Sequence, residues 1–455
     1  MYDVLVLGGG PGGYRAAELA GHAGLKVALV EKYRLGGVCL HRGCIPTKAY
    51  YCDVLGKMNP VERMWEKKNR IVEELEGGLR SLMDMHHVEV VEGTGKIHTA
   101  QGETKRLEVT APDGTLRTLE GRFLILAPGS RSLLPDFPGN TLEEVISGDW
   151  AVTRSDLWNP AENDAVRSVA VAGAGVIAVE LAGMLREMGR DVTLLKHSGE
   201  ILRKCDGDIK KKVAQLFRKR GIAMIDSFHI DAVEKVASPQ GILRISGSSK
   251  NREREEIFCD RLLVAYGMKP ILDGYGLENS GVAVEKGAIA VNEAMETNIP
   301  GVYAVGDVTG GQMLAHEAEY EALAAVGAMR GKPCPVNRDA MPGCIFTEPE
   351  IATVGLTEEE ARGRGLSVAV GKAFFLGNGM ARAMGKTDGF VKVVADADQD
   401  LQILGVHMVG PEAASLIAEA TLAVGARMTV RQVAYTVHPH PTTSECFKDA
   451  LFRLL

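Results

Sequence analysis

Two cysteines stand five residues apart in GGVCLHRGCIPTK, the stretch from Gly36 to Lys48. Thiols at that spacing offer redox or exchange chemistry only if their sulfurs can meet. In a regular α-helix, Cα atoms at i and i+5 lie roughly 8 to 9 Å apart, beyond the ~7 Å limit for a disulfide. Cys39 and Cys44 can therefore bridge only across a distorted turn. Gly43 and Pro46 favour one, because glycine tolerates unusual dihedrals and proline suits a first helical turn but not a helix interior. The alternative is a pair of unrelated thiols. The other six cysteines, Cys52, Cys205, Cys259, Cys334, Cys344 and Cys446, form no C-x-x-C ligand set and read as ordinary free thiols.

Phosphate binding is suggested twice. The segment DVLVLGGGPGGYRAAELAGHAGLKVALVEK, from Asp3, and the segment SVAVAGAGVIAVELAGMLREMGRDVTLLKH, from Ser168, repeat one pattern of strand, G-x-G-x-x-G/A turn, amphipathic helix and strand. That is the βαβ unit of a dinucleotide-binding fold. The turn residues are Gly8, Gly10 and Gly13 in the first copy, and Gly173, Gly175 and Ala178 in the second. Glycine there lets the backbone approach a pyrophosphate seated on a helix N-terminus. Twenty-three residues past the first glycine stand Glu31 and Lys196. An acid at that point accepts from a ribose hydroxyl and repels a 2′-phosphate; a lysine, with His197 and Arg203 close behind, reverses the preference. The other reading of Lys196 and Arg203 is solvated surface charge.

The elements that must position these groups fall into blocks. A chain of 455 residues suggests about three domains. Hydrophobic content of 45%, charged content of 24% and a net charge of −7 fit a globular protein and advertise neither nucleic acid nor an anionic membrane. No apolar stretch reaches the ~20 residues of a membrane span. The opening MYDVLVLGGGPGG enters a strand at once and lacks signal-peptide features, so a reducing compartment, the cytoplasm, is expected. There a close cysteine pair is redox-active more often than structural. Between the repeats, Ile71, Leu75, Leu79 and Leu82 have helical spacing over Arg70 to Met85, and RLEVTAPDGTLRTLEG reads as a hairpin. From about Met341, strands in CIFTEPEIATVGL, GFVKVVAD and ILGVHMVG precede helices in EAASLIAEATLAVGA and SECFKDALFRLL, the order of an α+β unit. Thr442 to Glu445, in HPTTSE, also fits a helix capping box.

Taken together, GGVCLHRGCIPTK, VYAVGD followed by MLAHEAE, FTEPEIATVGLTEEEA, ILGVHMVGPEA and HPHPTTSE resemble the pyridine nucleotide-disulfide oxidoreductase family, most closely its dihydrolipoamide dehydrogenase branch, over nearly the whole chain. The resemblance implies an α/β fold: two Rossmann-like dinucleotide-binding domains plus a C-terminal α+β dimerisation domain. The expected order is an FAD-binding domain at 1–148, an NAD(P)-binding domain at 149–264, a return to the FAD and central domain at 265–338, and an interface domain at 339–455. It also implies FAD on Gly8, Gly10, Gly13, Glu31, Gly37, Lys48, Asp307 and Ala315. The second coenzyme would lie on Gly173, Gly175, Ala178, Glu180, Lys196, His197, Arg203 and Gly267, with Glu180 pairing Lys48. Lys196 and His197 point to NADP, the branch to NAD.

In that resemblance Cys39 is the interchange thiol that attacks a dithiol substrate and Cys44 the thiolate against the flavin, with Lys48 supplying positive potential. His440 and Glu445 are the base and its orienting acid, acting across a homodimer on the other subunit's cysteines. The implied partner is a lipoyl-bearing protein of a 2-oxoacid dehydrogenase or glycine cleavage complex, since no lipoyl segment is expected ahead of the first domain. Two other functions fit parts of the pattern: a glutathione reductase-like NADPH enzyme, favoured by Lys196 and His197, and a flavoprotein subunit without turnover. Pro128, Met268 and Lys269 depart from the family's usual residues, as do Tyr50 and Tyr51, which follow the redox motif and bear on the shape of the substrate channel.

Overall fold

The strands Tyr2–Leu7 and Val27–Glu31 are almost continuously apolar, and both pair in parallel, with Val4 opposite Val27 and Leu7 opposite Val30. Parallel strands covered on both faces need such sequences, because no edge of the side-chain row meets water. In the computed structural model, which describes residues 1–55, 64–158, 166–334 and 336–455, these two strands lie at the centre of a seven-stranded sheet. The long strand Leu116–Leu126 changes character along its length. Its first half forms the expected hairpin with Lys105–Thr110 around a turn in which Gly114 has φ +86°, and its second half, ending in the buried run Leu124, Ile125 and Leu126, runs parallel to Tyr2–Leu7. Val302–Ala304 returns from far down the chain to pair in parallel with Leu124, Ile125 and Leu126.

A second sheet of five parallel strands has the order Ala223–Asp226, Asp191–Lys196, Ser168–Ala172, Arg261–Val264, Val145–Ser147. A third, wholly antiparallel, runs Gly343–Ile345, Glu350–Gly355, Gln402–Gly410, Phe390–Asp396, Val368–Phe374, with the helices Ala413–Gly425 and Glu445–Phe452 packed on it. The sequence periodicity over Arg70 to Met85 is part of a longer helix, Met64–Met85. Among the described residues, no helix is long and apolar enough to cross a membrane.

The first glycine turn shows why its residues are small. Gly8 has φ +102°, and a Cβ there would sit 2.2 Å from the carbonyl oxygen of Ala127. A Cβ on Gly13 would sit 1.8 Å from the carbonyl oxygen of Gly8, so strand and helix approach closer than any side chain permits. Helix Pro11–His22 then opens with proline at its start and buries Ala16, Ala17 and Ala20. Its neighbour Ala315–Met329 answers with Ala318, Ala322, Ala324 and Ala325. A Gly13→Ala variant is expected to lose about 1–3 kcal/mol of stability from overpacking, read as a lowered denaturant midpoint. An unchanged midpoint would mean that strand and helix can part without cost.

Candidate functional site

The distorted turn is a break between two helices. Helix Gly37–Arg42 carries Cys39, helix Cys44–Val54 begins at Cys44, and Gly43 joins them with φ −134° and ψ −112°, which belongs to neither helix nor strand. A Cβ at Gly43 would lie 3.0 Å from the carbonyl oxygen of Val38 and 3.3 Å from the Cα of Cys39, so the two segments are folded tightly on one another. Both cysteines are thiols in this structure, and Cys39 hydrogen-bonds to Cys44. Cys44 is accessible to solvent. The hydrogen bond from Cys39 holds the Cys44 thiol below its ordinary range, and the Lys48 charge adds to this against the opposing effect of burial. Cys39 is pushed up by the same hydrogen bond and by burial. The two shifts run in opposite directions, Cys44 towards the thiolate and Cys39 towards the thiol, which is the direction exchange chemistry needs.

Lys48 lies one helical turn after Cys44 and so on the same face. Its ammonium donates to both carboxylate oxygens of Glu180, at 3.1 and 3.0 Å, and lies 4.5 Å from the centroid of the Phe346 ring. Glu180 is buried on helix Val176–Glu187 and also accepts from the backbone N–H of Phe346 at 2.8 Å. Sequence reasoning has no signal for Phe346, since a phenylalanine in FTEPEI announces only packing.

Both glycine turns have room for a pyrophosphate. Helices Pro11–His22 and Val176–Glu187 begin after Gly10 and Gly175 with no side chain capping their first turn, and a Cβ on either glycine would face open space. Gly37, at φ +60°, brings its turn to Gly10, where a Cβ would sit 2.8 Å from the Gly10 Cα. Gly173 repeats the geometry of Gly8, with φ +134° and the carbonyl oxygen of Ala265 2.3 Å from a would-be Cβ, while Ala178 is fully buried. Glu31 is fixed beside the first turn by accepting from the Gly9 and Tyr33 N–H groups at 2.6 and 2.7 Å. Asp307 accepts from the Ser130 hydroxyl, and burial raises its carboxyl above the usual range. Ala315 begins the helix just beyond it, and Gly267 sits exposed at φ +119° in the turn after the strand Arg261–Val264. Uncapped N-terminal N–H groups, open space over the second glycine and a carboxylate at the strand end fit two dinucleotides.

Lys196 is placed differently from a phosphate ligand. Only 5% exposed, it donates to the Gly199 carbonyl at 2.7 Å and pairs with Asp226 at 2.6 Å. Among the described residues following that strand, Arg203, Lys204 and the His197 imidazole are exposed, the imidazole ring meeting His229 edge-on at 4.4 Å.

His440 and Glu445 come together without the cysteines. The ring Nδ1 lies 3.1 Å from each Glu445 oxygen, and this contact holds the Glu445 carboxyl below its usual range. Glu445 also accepts from the Thr442 N–H at 3.2 Å, which is half of a capping box. The other half is missing, because the Thr442 hydroxyl donates to the Pro439 carbonyl and the helix starts at Glu445. The His440 side chain is 78% exposed, and among the described residues no hydrogen bond or ion pair links it to Cys39 or Cys44 of its own chain.

Residues 2–322 match the family described as pyridine nucleotide-disulphide oxidoreductase, and residues 341–451 match its dimerisation domain, the unit through which a second copy pairs. The chain is 36% identical to the dihydrolipoyl dehydrogenase of Bacillus subtilis, over 99% of this chain and 97% of that one. It is 34% identical to the mitochondrial dihydrolipoyl dehydrogenase of Caenorhabditis elegans, over 98% and 91%. Among solved structures it is similar to the HOCl-induced flavoprotein disulfide reductase RclA of Escherichia coli as its Cu(II) complex, with TM-score 0.87, 26% identity and 99% coverage of both chains.

The opposed shifts at Cys39 and Cys44 have a measurable consequence. In the reduced protein, alkylation of the peptide containing Cys39 and Cys44, followed by mass spectrometry, is expected to reach its half-point below the value of about 8.5 for an ordinary thiol. Lys48→Met should move that half-point upward. A half-point unmoved by the loss of Lys48 would remove the ammonium from the site's electrostatics.

Proposed function

As this chain belongs to the pyridine nucleotide-disulphide oxidoreductase family, we propose that it oxidises protein-bound dihydrolipoyl groups through Cys39 and Cys44, with FAD and NAD(P)+ as its cofactors. The observation that carries the reading is the tight break at Gly43 that folds the helix of Cys39 onto the helix of Cys44, with Lys48 one turn on and two dinucleotide turns that fit those cofactors. When bound, FAD supplies a two-electron acceptor that passes the pair on to NAD(P)+ as hydride. Gly8, Gly10, Gly13, Glu31, Gly37, Asp307 and Ala315 hold the flavin nucleotide, and Gly173, Gly175, Ala178 and Gly267 the nicotinamide one.

The exchange step belongs to the chain's own residues. A substrate thiolate attacks Cys39 Sγ of the oxidised pair, the Cys39–Cys44 bond breaks, and Cys44 leaves as the stabilised thiolate beside Lys48. The second substrate thiol then attacks the substrate sulfur of the mixed disulfide, closing the substrate disulfide and releasing Cys39. The imidazole of His440, oriented by Glu445 at 3.1 Å, takes the protons. Its exposure, beside Tyr435 and a Val437 that is 93% exposed, suits a base that serves the cysteines of a second subunit across an apolar contact. The reducing state of the cytoplasm suits a pair that must cycle. The substrate is a lipoyl-bearing protein of a 2-oxoacid dehydrogenase or glycine cleavage complex, and similarity to proteins named dihydrolipoyl dehydrogenase supports the lipoyl substrate. For the coenzyme, we propose that Arg203 and His197 govern any contact with a 2′-phosphate, because the ammonium of Lys196 is committed to Asp226.

With the flavin loaded, dihydrolipoamide is expected to bleach its absorbance rapidly and glutathione slowly or not at all; bleaching by glutathione alone would overturn the reading. Cys44→Ser should abolish dithiol turnover, and His440→Gln should slow it by about 10²- to 10⁴-fold. Arg203→Ala should weaken NADP by roughly tenfold while sparing NAD. An equal loss with both coenzymes would clear Arg203 of a part in the choice.

A further inference from the structure

Tyr51, which departs from the family's pattern, is built into the support of the Lys48 ammonium. Cys44, Lys48 and Tyr51 stand at i, i+4 and i+7 of one helix and therefore share a face. The Tyr51 ring meets the Phe346 ring edge-on, with centroids 5.5 Å apart and planes at 77°. Phe346 in turn presents its ring to the ammonium of Lys48 at 4.5 Å and anchors its backbone N–H on Glu180 at 2.8 Å. The Tyr51 hydroxyl donates to Glu350 Oε1 at 2.9 Å, and Glu350 Oε2 accepts the Ala414 N–H at 2.9 Å in the first turn of helix Ala413–Gly425. An unbroken chain of contacts thus runs from that helix of the C-terminal sheet through Glu350, Tyr51 and Phe346 to Lys48.

The physical role follows from the alternatives open to Lys48. Its side chain is partly exposed, so without a platform the ammonium could lean further onto Glu180 or into water. Either move weakens its field at Cys44. An aromatic face offers a weakly solvating, directional site for a cation, but only if the ring is held at the right angle. The edge of Tyr51 sets that angle, and Glu350 fixes Tyr51. We propose that Tyr51 and Glu350 are positioning residues for the Lys48 ammonium: through Phe346 they keep its charge directed at the Cys44 sulfur.

The inference rests on the reading of Cys44 as the reactive thiol. The titratable groups that act on Cys44 are Cys39 on the preceding helix, Lys48 on its own and Glu180 on the facing one. Those acting on Tyr51 are Glu350, Glu348 and Cys52, which with burial keep its hydroxyl protonated as a donor at any working pH.

The test is the pH profile of alkylation at the Cys39–Cys44 peptide in the reduced holoenzyme. Tyr51→Phe is expected to raise the half-point by about half to one unit, an approximately three- to tenfold loss of rate at a fixed pH below it. Glu350→Ala should do the same, and the double variant should be no worse than either alone, since one chain of contacts is cut at two places. Glu350→Gln, which keeps an acceptor for Tyr51 but sets an amide N–H against the Ala414 N–H, should shift the profile less than Glu350→Ala; a shift as large as that of Glu350→Ala would deny the acceptor its part. Phe346→Leu, which keeps apolar bulk but removes the ring face, should match Tyr51→Phe even if Glu350→Ala folds poorly. A residue that merely packs would lower the melting temperature and leave the profile in place. A low wild-type half-point that Tyr51→Phe does not move overturns this inference alone; an ordinary half-point in the wild type takes down the reading of Cys44 and the inference together.

Discussion

Gly43 is the hinge on which the site turns. Two cysteines five apart cannot meet on one helix, and the chain solves this by ending one short helix at Arg42 and starting another at Cys44. The join is so tight that the backbone of Val38 and Cys39 lies within about van der Waals distance of where a side chain at 43 would begin. Because Cys44 opens its helix, its sulfur also sits at the positive end of that helix's dipole, and Lys48 follows one turn later on the same side. One break in the backbone therefore sets both the meeting of the sulfurs and the field in which they meet.

That field is shared out among elements from the whole chain. Glu180 comes from the helix that follows the second dinucleotide turn, Glu350 from the C-terminal sheet, Phe346 from the segment just past its strand Gly343–Ile345, and Lys48 from the redox helix. A carboxylate at 3.0 Å from an ammonium would by itself cancel much of the charge seen by a nearby thiolate. The aromatic ring on the other side gives the ammonium a second resting place that carries no negative charge. The Cys44 thiol is held low in spite of the burial that opposes it, and the hydrogen bond from Cys39 is the largest single cause.

The base is kept apart from this arrangement. His440 and Glu445 form a self-contained pair on the outside of the third sheet, the imidazole almost wholly exposed and the carboxylate tied to ring and backbone together. The dimerisation domain over 341–451 supports a second copy of the chain, and on the function proposed above the pair would serve that copy's cysteines.

Much of this was legible in the residues themselves. Paired glycine turns need small residues at fixed offsets, whatever else the chain does, so Gly8, Gly13 and Gly173 could be read from spacing, and Gly43 and Pro46 marked the broken helix. Composition excluded a membrane span, and motif order suggested the α/β and α+β blocks. What the linear order could not carry was which distant groups meet. Lys196 reads as a coenzyme cation, and the linear order gives no sign that the neighbouring parallel strand brings Asp226 to within 2.6 Å of its ammonium. Phe346 announces only packing until the chain beyond Met341 folds onto the redox helix and brings its ring to Lys48. Charge is a property of residues, but a field at a sulfur atom depends on distances between residues hundreds of positions apart, and only the packed structure fixes those.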